Sequence, residues 1–283
     1  MPVRFERVTH VYNPKTPNPV EALDDISLEI EEGSFTAFIG RTGCGKSTLV
    51  QHLNALLKPT SGTVYVDEFV NTFEKKKRDK KLKPLRERVG LVFQFPEYQL
   101  FEETIEKDVA FGPKNFGDSE EVALEKAHEA LKLVGLDESF FKRSPFEISG
   151  GEKRRVALAG VLAMKPKYLV VDEPTAGLDP LGAKEMMDLF AKVHDSGATI
   201  ILVTHDMDLV LGYCSDVYVL DHGKVAIKGK PNDLFGEDVS RFSLQKPAIF
   251  EFAERLQKDG FNIDKNKLNK VEDLAKAIVE GRR

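Results

Sequence analysis

Tryptophan is absent from the chain, cysteine occurs only twice, and no stretch reaches 18 consecutive apolar residues. Cys44 and Cys214 are too few and too far apart for a disulfide framework or a zinc site, and they fit a reducing compartment. Without a long apolar run, nothing reads as a bilayer-spanning helix. The opening Met1-Pro2-Val3-Arg4-Phe5-Glu6 lacks the apolar core of a signal peptide. Excess positive charge is missing too. A net charge of −5 argues against a protein that coats nucleic acid, while leaving room for a local basic patch. No internal repeat is visible. What is present is 283 residues, 41% of them hydrophobic, enough for one large α/β domain and a small extension.

Residues 3–10 and 26–30 alternate in hydrophobicity like antiparallel strands, and the proline-rich stretch from Asn13 to Pro19 between them must be a loop. Phe35 to Ile39 is a short apolar strand that runs into a glycine-rich turn. A helix is expected from Thr48 to Leu57, with Leu49, Leu53, Leu56 and Leu57 on one face. Strands follow at Thr63 to Val66 and Val89 to Phe93. Between these two strands, the charge run from Lys75 to Lys83 reads as a solvated helix or loop. Residues 97–146 are helix-rich, with an amphipathic pattern of Val122, Leu124, Ala127, Leu131 and Val134. A helix capped by residues 149–151 reaches about Met164. Strands at Tyr168 to Val171 and Thr199 to Val203 flank a helix from Leu181 to His194, and Asp221-His222-Gly223-Lys224 signals a hairpin. Alternating strands and helices imply a largely parallel sheet with ligands at the strand carboxyl ends. The tail from about 246 reads as two short amphipathic helices.

Gly40-Arg41-Thr42-Gly43-Cys44-Gly45-Lys46-Ser47-Thr48 fits G-x-x-x-x-G-K-[ST] between a strand and a helix. Its glycines let backbone N–H groups wrap a triphosphate, and Lys46 bridges the β- and γ-phosphates. The Ser47 hydroxyl suits Mg²⁺. Further along, Leu169-Val170-Val171 carries Asp172 to the end of a strand, where it can hold Mg²⁺ through water. Glu173, one residue on, points toward an attacking water. Cys44 reads as a small residue tolerated inside the loop, not a redox centre.

Ser149-Gly150-Gly151-Glu152 resembles the ABC signature, Leu-Ser-Gly-Gly-Gln, with Lys153-Arg154-Arg155 following. Together with the phosphate loop, Asp172-Glu173-Pro174-Thr175, Gly177-Leu178-Asp179 and Thr204-His205, it makes residues 3 to about 230 similar to the ATPase subunits of ABC transporters. The resemblance implies an α/β P-loop core over residues 1–230, with a mixed sheet, antiparallel N-terminal strands and a helical subdomain inserted at about 97–165. A C-terminal extension, 231–283, is expected to contact a dimer partner. The resemblance further implies a head-to-tail dimer sandwiching two ATP molecules. Ser149, Gly150, Gly151 and Glu152 then face the γ-phosphate held by the partner's loop. His205 contacts the γ-phosphate, Gln94 approaches Mg²⁺ and water, Asp179 communicates across the interface, and Tyr12 stacks on adenine. Isoleucine at position 148 and Glu152 depart from the usual leucine and glutamine, and Glu152 is expected to bring a carboxylate near the partner's nucleotide.

The run Phe93-Gln94-Phe95-Pro96-Glu97-Tyr98-Gln99-Leu100-Phe101, then Asp108 to Pro113 and the tail from Phe235, are similar to energy-coupling-factor and cobalt-type ATPases. Gln51-His52-Leu53-Asn54 and the loop at 13–19 look most like the second ATPase of such a pair. This implies an importer of micronutrients such as B vitamins. Its other parts are a paralogous ATPase, a membrane scaffold subunit and an interchangeable substrate-binding membrane subunit, with this chain at the cytoplasmic face and no nucleic acid involved. Two alternatives stand beside it: an ATPase of a cobalt, nickel or other ABC importer, and a soluble ABC ATPase acting on ribosomes or DNA. Against the last, the chain holds one cassette and no sustained heptads.

Overall fold

A computed structural model describes residues 2–74 and 82–280. Residues 75–81, most of the lysine-rich run, lie outside the described residues. The chain opens with β1 (Val3–Tyr12) and β2 (Val20–Ile30), an antiparallel pair whose long arms enclose the proline-rich loop. Next come β3 (Phe35–Ile39), α1 (Lys46–Gln51), β4 (Ser61–Val66), β5 (Phe69–Thr72), α2 (Lys83–Arg88) and β6 (Val89–Val92). Helices α3 (Ile105–Phe116), α4 (Glu120–Leu133), α5 (Glu138–Phe141) and α6 (Gly150–Leu162) precede β7 (Tyr168–Asp172). The rest is α7 (Pro180–Asp195), β8 (Thr199–Val203), α8 (Met207–Tyr213), β9 (Asp216–Asp221), β10 (Lys224–Gly229), α9 (Pro231–Gly236), α10 (Ala248–Lys258) and α11 (Val271–Glu280).

The strands form two sheets. One has the order β10-β9-β3-β8-β7-β6, parallel except for β10; the other, β2-β1-β4-β5, is antiparallel. Every position of β3, β7 and β8 is buried, as a parallel sheet covered on both faces requires. One face packs on the antiparallel sheet through Phe5, Leu23, Phe38, Leu49 and Tyr168. The other carries α3, α4 and α6, whose Val109, Ala127, Leu131 and Leu158 join Leu169 and Leu202. In the tail, Phe235 and Phe250 share a buried cluster with Ala37 and Ile39 of β3.

Two expectations change. Helix α1 stops at Gln51, not Leu57, because the Asn54 side chain accepts from Leu56 N–H and Ala55 takes a positive φ of 53°. Leu56 is then exposed instead of joining the core. On α4 the buried stripe is Ala123, Ala127, Ala130 and Leu131, while Val122 faces outward.

A polar staple joins the two sheets. Asp67, in the β4–β5 turn, accepts from Lys167 Nζ at 2.8 Å, Tyr168 Oη at 2.8 Å and Arg88 Nη1 at 3.0 Å. Its carboxyl lies well below the usual range, at about 2: burial opposes the charge, but the bonds from Lys167, Tyr168 and Arg88 outweigh it. Asp67→Ala removes an acceptor shared by two cations; Lys167 and Arg88 are partly exposed and keep Glu32 and Glu68 as partners, so the loss is about 1–3 kcal/mol, that of hydrogen bonds to a charged group. Because the folded carboxyl titrates below its unfolded counterpart, this stabilisation is complete above about pH 4 and is lost as pH falls toward 2. Denaturant melts of wild type and Asp67→Ala should therefore differ at neutral pH and converge in acid.

Candidate nucleotide site

The parallel strands end on one edge, where the phosphate loop, Asp172, Glu173 and His205 sit. Leaving β3, the chain passes Gly40, whose Cβ position would lie 2.2 Å from the Leu220 carbonyl oxygen, so this approach admits only glycine. Gly45 caps α1 with φ 105°, and a Cβ there would lie 2.4 Å from Ala22 O on β2. Lys46 then folds over the loop, donating from Nζ to Gly40 O at 2.7 Å and Arg41 O at 3.1 Å, which holds its charge inside the arc. Cys44 lies buried beneath the loop, and burial pushes its thiol up, away from redox reactivity.

At the end of β7, Asp172 is buried and lines the same cleft as Ser47. Burial raises its carboxyl above the ordinary value, with the Ser47 hydroxyl pulling the other way. Glu173 turns out of the sheet with φ 49°, its N–H held by Val203 O at 2.8 Å. That left-handed backbone costs about 1–3 kcal/mol in a non-glycine residue. It also separates the directions of the two adjacent acids. Glu173 Oε2 meets His205 Nδ1 at 2.9 Å; the histidine is 79% exposed and the acid 17%. The two residues, read from the sequence in separate roles, form a pair.

A cleft of about 510 Å³ gathers these groups. Thr42, Gly43, Gly45, Lys46, Ser47 and Thr48 form one wall, and Gln94, Asp172, Glu173 and His205 the other. Tyr12, at the end of β1, closes the mouth, its hydroxyl 3.1 Å from Thr48 Oγ1 and its ring 4.6 Å edge-on from His10. His10 in turn meets buried His52, which burial lowers to about 4 and whose Nδ1 donates to Thr48 O. Hard oxygen donors meet at Ser47 and Asp172, a donor chemistry that fits Mg²⁺.

Ser149, Gly150, Gly151, Glu152 and Asp179 do not line this cleft. Ser149 caps α6, accepting from Glu152 N–H at 3.3 Å, while Glu152 Oε2 accepts from Ser149 N–H at 2.7 Å. That reciprocal capping box turns the Glu152 carboxylate back onto its own helix, where the Ser149 N–H lowers it below the ordinary range. No atom lies within 4 Å of a Cβ position at Gly150 or Gly151, so the backbone there is open. Asp179 caps α7 through Gly182 N–H at 2.7 Å.

The sequence reading missed two contributors. Val20, Glu21 and Ala22 line the cleft because β2 begins at Val20, well before the alternation at 26–30. Arg154 bridges to Glu97, and 57 positions of separation gave no periodic signal for it.

A glycine loop folded around a lysine, a serine–aspartate pair and a glutamate–histidine pair at adjacent strand ends define an ATP-binding cassette of P-loop type. A family model described as "ABC transporter" matches residues 23–176. The chain is 54% identical to the energy-coupling factor transporter ATP-binding protein EcfA2 of Enterococcus faecalis, covering 99% of this chain and 97% of that protein. The protein of that name from Lactiplantibacillus plantarum is 53% identical, over 99% and 95%. Among solved structures, cbiO1 from Clostridium perfringens, part of the ABC transporter complex cbiONQ, superposes with a TM-score of 0.74. It is 38% identical, over 91% of this chain and 96% of that one. The cassette MJ0796, solved as a post-hydrolysis dimer with ADP and Pi, gives 0.71 at 31% identity, over 81% and 98%. The chain belongs to the energy-coupling-factor ATP-binding subunits of the ABC transporter family.

Proposed function

We propose that this chain binds Mg-ATP in the cleft between Lys46 and Glu173 and hydrolyses it to drive an energy-coupling-factor importer. The observation that carries this reading is the convergence of Lys46, Ser47, Asp172, Glu173, Gln94 and His205 on one cleft. Lys46 grips the β- and γ-phosphates, while Thr42, Gly43 and Gly45 present backbone N–H groups. Ser47, Gln94 and Asp172 hold Mg²⁺, which when bound offsets phosphate charge. Glu173 orients water and takes its proton, and His205, paired with Glu173, senses the γ-phosphate. Tyr12 packs on the base.

The open Ser149–Gly151 backbone lies outside the chain's own cleft, which supports its use on nucleotide held by a partner ATPase in a head-to-tail dimer. That partner is a paralogue, and the C-terminal extension contributes to the contact. Among the described residues no helix is long and apolar enough to cross a membrane. The names of its relatives, subunits of an energy-coupling factor transporter and of the complex cbiONQ, support a membrane scaffold that docks on this chain at the cytoplasmic face and a separate membrane chain that selects the micronutrient, a B vitamin for instance. The segment from Gln94 to Phe111 is the coupling element. It runs from the cleft into the helical subdomain and exposes Tyr98 (86%) and Phe101 (56%).

Isolation of the tagged chain from detergent-solubilised membranes tests this reading. A second ATPase and at least one integral membrane chain should accompany it; recovery without any membrane protein would contradict the assignment. Tyr98→Ala should cut substrate uptake by about tenfold while leaving basal ATPase unchanged, as expected when an exposed aromatic anchor of an interface is truncated. Paired uptake and phosphate-release assays in proteoliposomes check this.

A further inference from the structure

The buried Arg154 of α6 has no place in the cleft, yet it touches two segments that serve it. Its Nε and Nη2 donate to the two carboxylate oxygens of Glu97, each at 3.2 Å, and Nη1 donates to Ala176 O at 2.8 Å. Its guanidinium also stands 5.6 Å from the centroid of the Phe95 ring. Glu97 is three residues beyond Gln94. Ala176 is three beyond Glu173 and three before Asp179, and its N–H is held by Glu173 O at 3.2 Å. Phe95 lies between: it has a left-handed φ of 56°, and its Cε1 sits 3.7 Å from the Cβ position of Gly177. A phenylalanine keeps such a backbone only where its surroundings enforce it. Here the guanidinium and Gly177 flank the ring. Arg154 itself is 6% exposed, so these bonds are shielded from water.

We infer that Arg154 is a positioning residue that fixes Gln94 and Glu173 relative to α6, so that occupation of Ser149 by the partner's nucleotide sets hydrolysis in this chain's own cleft. The inference rests on the nucleotide reading above. A planar fork is needed: only a guanidinium spans a carboxylate bidentately and still reaches a carbonyl, and a lysine ammonium cannot. Contact with the nucleotide is not involved, so binding and turnover should separate.

The test uses the chain assembled with its partner ATPase, in Arg154→Lys, Glu97→Gln and the double variant. Each single change should lower kcat by about tenfold with ATP affinity, read by calorimetry, held within about twofold; the double should be no worse than the worse single. Full activity in Arg154→Lys, or losses that multiply in the double variant, would overturn the proposal. So would loss of ATP affinity in parallel with kcat in both single variants, since that marks a structural role alone. Absence of hydrolysis by the unaltered complex would remove the nucleotide reading and this inference together, whereas hydrolysis with multiplying losses removes only the inference.

Discussion

Glu173→Gln should lower ATP turnover by about 10²–10⁴-fold, the range expected when a general base is removed, while ATP affinity stays close to wild type. The substitution is nearly isosteric, and its amide oxygen can still accept from His205, which now sits 2.9 Å from the carboxylate. The main-chain bond from Glu173 N–H to Val203 O does not involve the side chain, so the left-handed turn survives. Only the capacity to take a proton from water is lost. Single-turnover phosphate release and equilibrium ATP binding, measured on the same preparation, separate the two effects. A dimer holding unhydrolysed nucleotide should accumulate in this variant. Near-normal turnover would remove Glu173 from the role assigned to it.

Gly45→Ala should weaken ATP binding by at least about tenfold, equivalent to about 1.4 kcal/mol, and lower the melting temperature. Two costs add. The backbone at φ 105° disfavours any side chain, and the new methyl would stand 2.4 Å from Ala22 O and 2.9 Å from Leu23 Cδ2. The β2 backbone has little room to retreat, since Leu23 is paired with His10 and Asp24 N–H is bound to Gly223 O at 2.9 Å. The loop must therefore move, and Lys46 with it. Gly197→Ala is the matched control: its φ is 106°, but nothing lies within 4 Å of its Cβ position. It should lose stability through backbone strain alone and keep ATP affinity. Equal loss of affinity in both variants would contradict the clash argument.

The nucleotide cleft was legible because its chemistry is local. Strands β3, β7 and β8 are short uniform apolar runs, and each delivers its functional residues at its own end: Gly40, then Asp172 with Glu173, then His205 after Thr204. No long-range information is needed to read them. What stayed hidden depends on contacts between distant segments. Past the end of α1, the turn is tied to β5 by Asn71, whose Nδ2 donates to His52 O and Leu57 O. The Asp67 staple and the Arg154 fork join residues that no spacing connects. The antiparallel strands form a sheet of their own because Val3 to Tyr12 pairs on both sides, with β2 and with β4. Glu152 is the instructive case. The Ser-x-x-Glu spacing at 149–152 is that of a capping box, and it directs the Glu152 carboxylate to Ser149 N–H, where a resemblance to the signature alone points it at a partner's nucleotide.

The account rests on Lys46 and its glycine loop gripping a triphosphate. Calorimetric titration of the purified chain with Mg-ATP, alongside its Lys46→Ala variant, tests that claim most directly. Saturable binding of one nucleotide per chain, abolished in the variant, is the predicted result; no binding by the wild type, or undiminished binding by the variant, would contradict it.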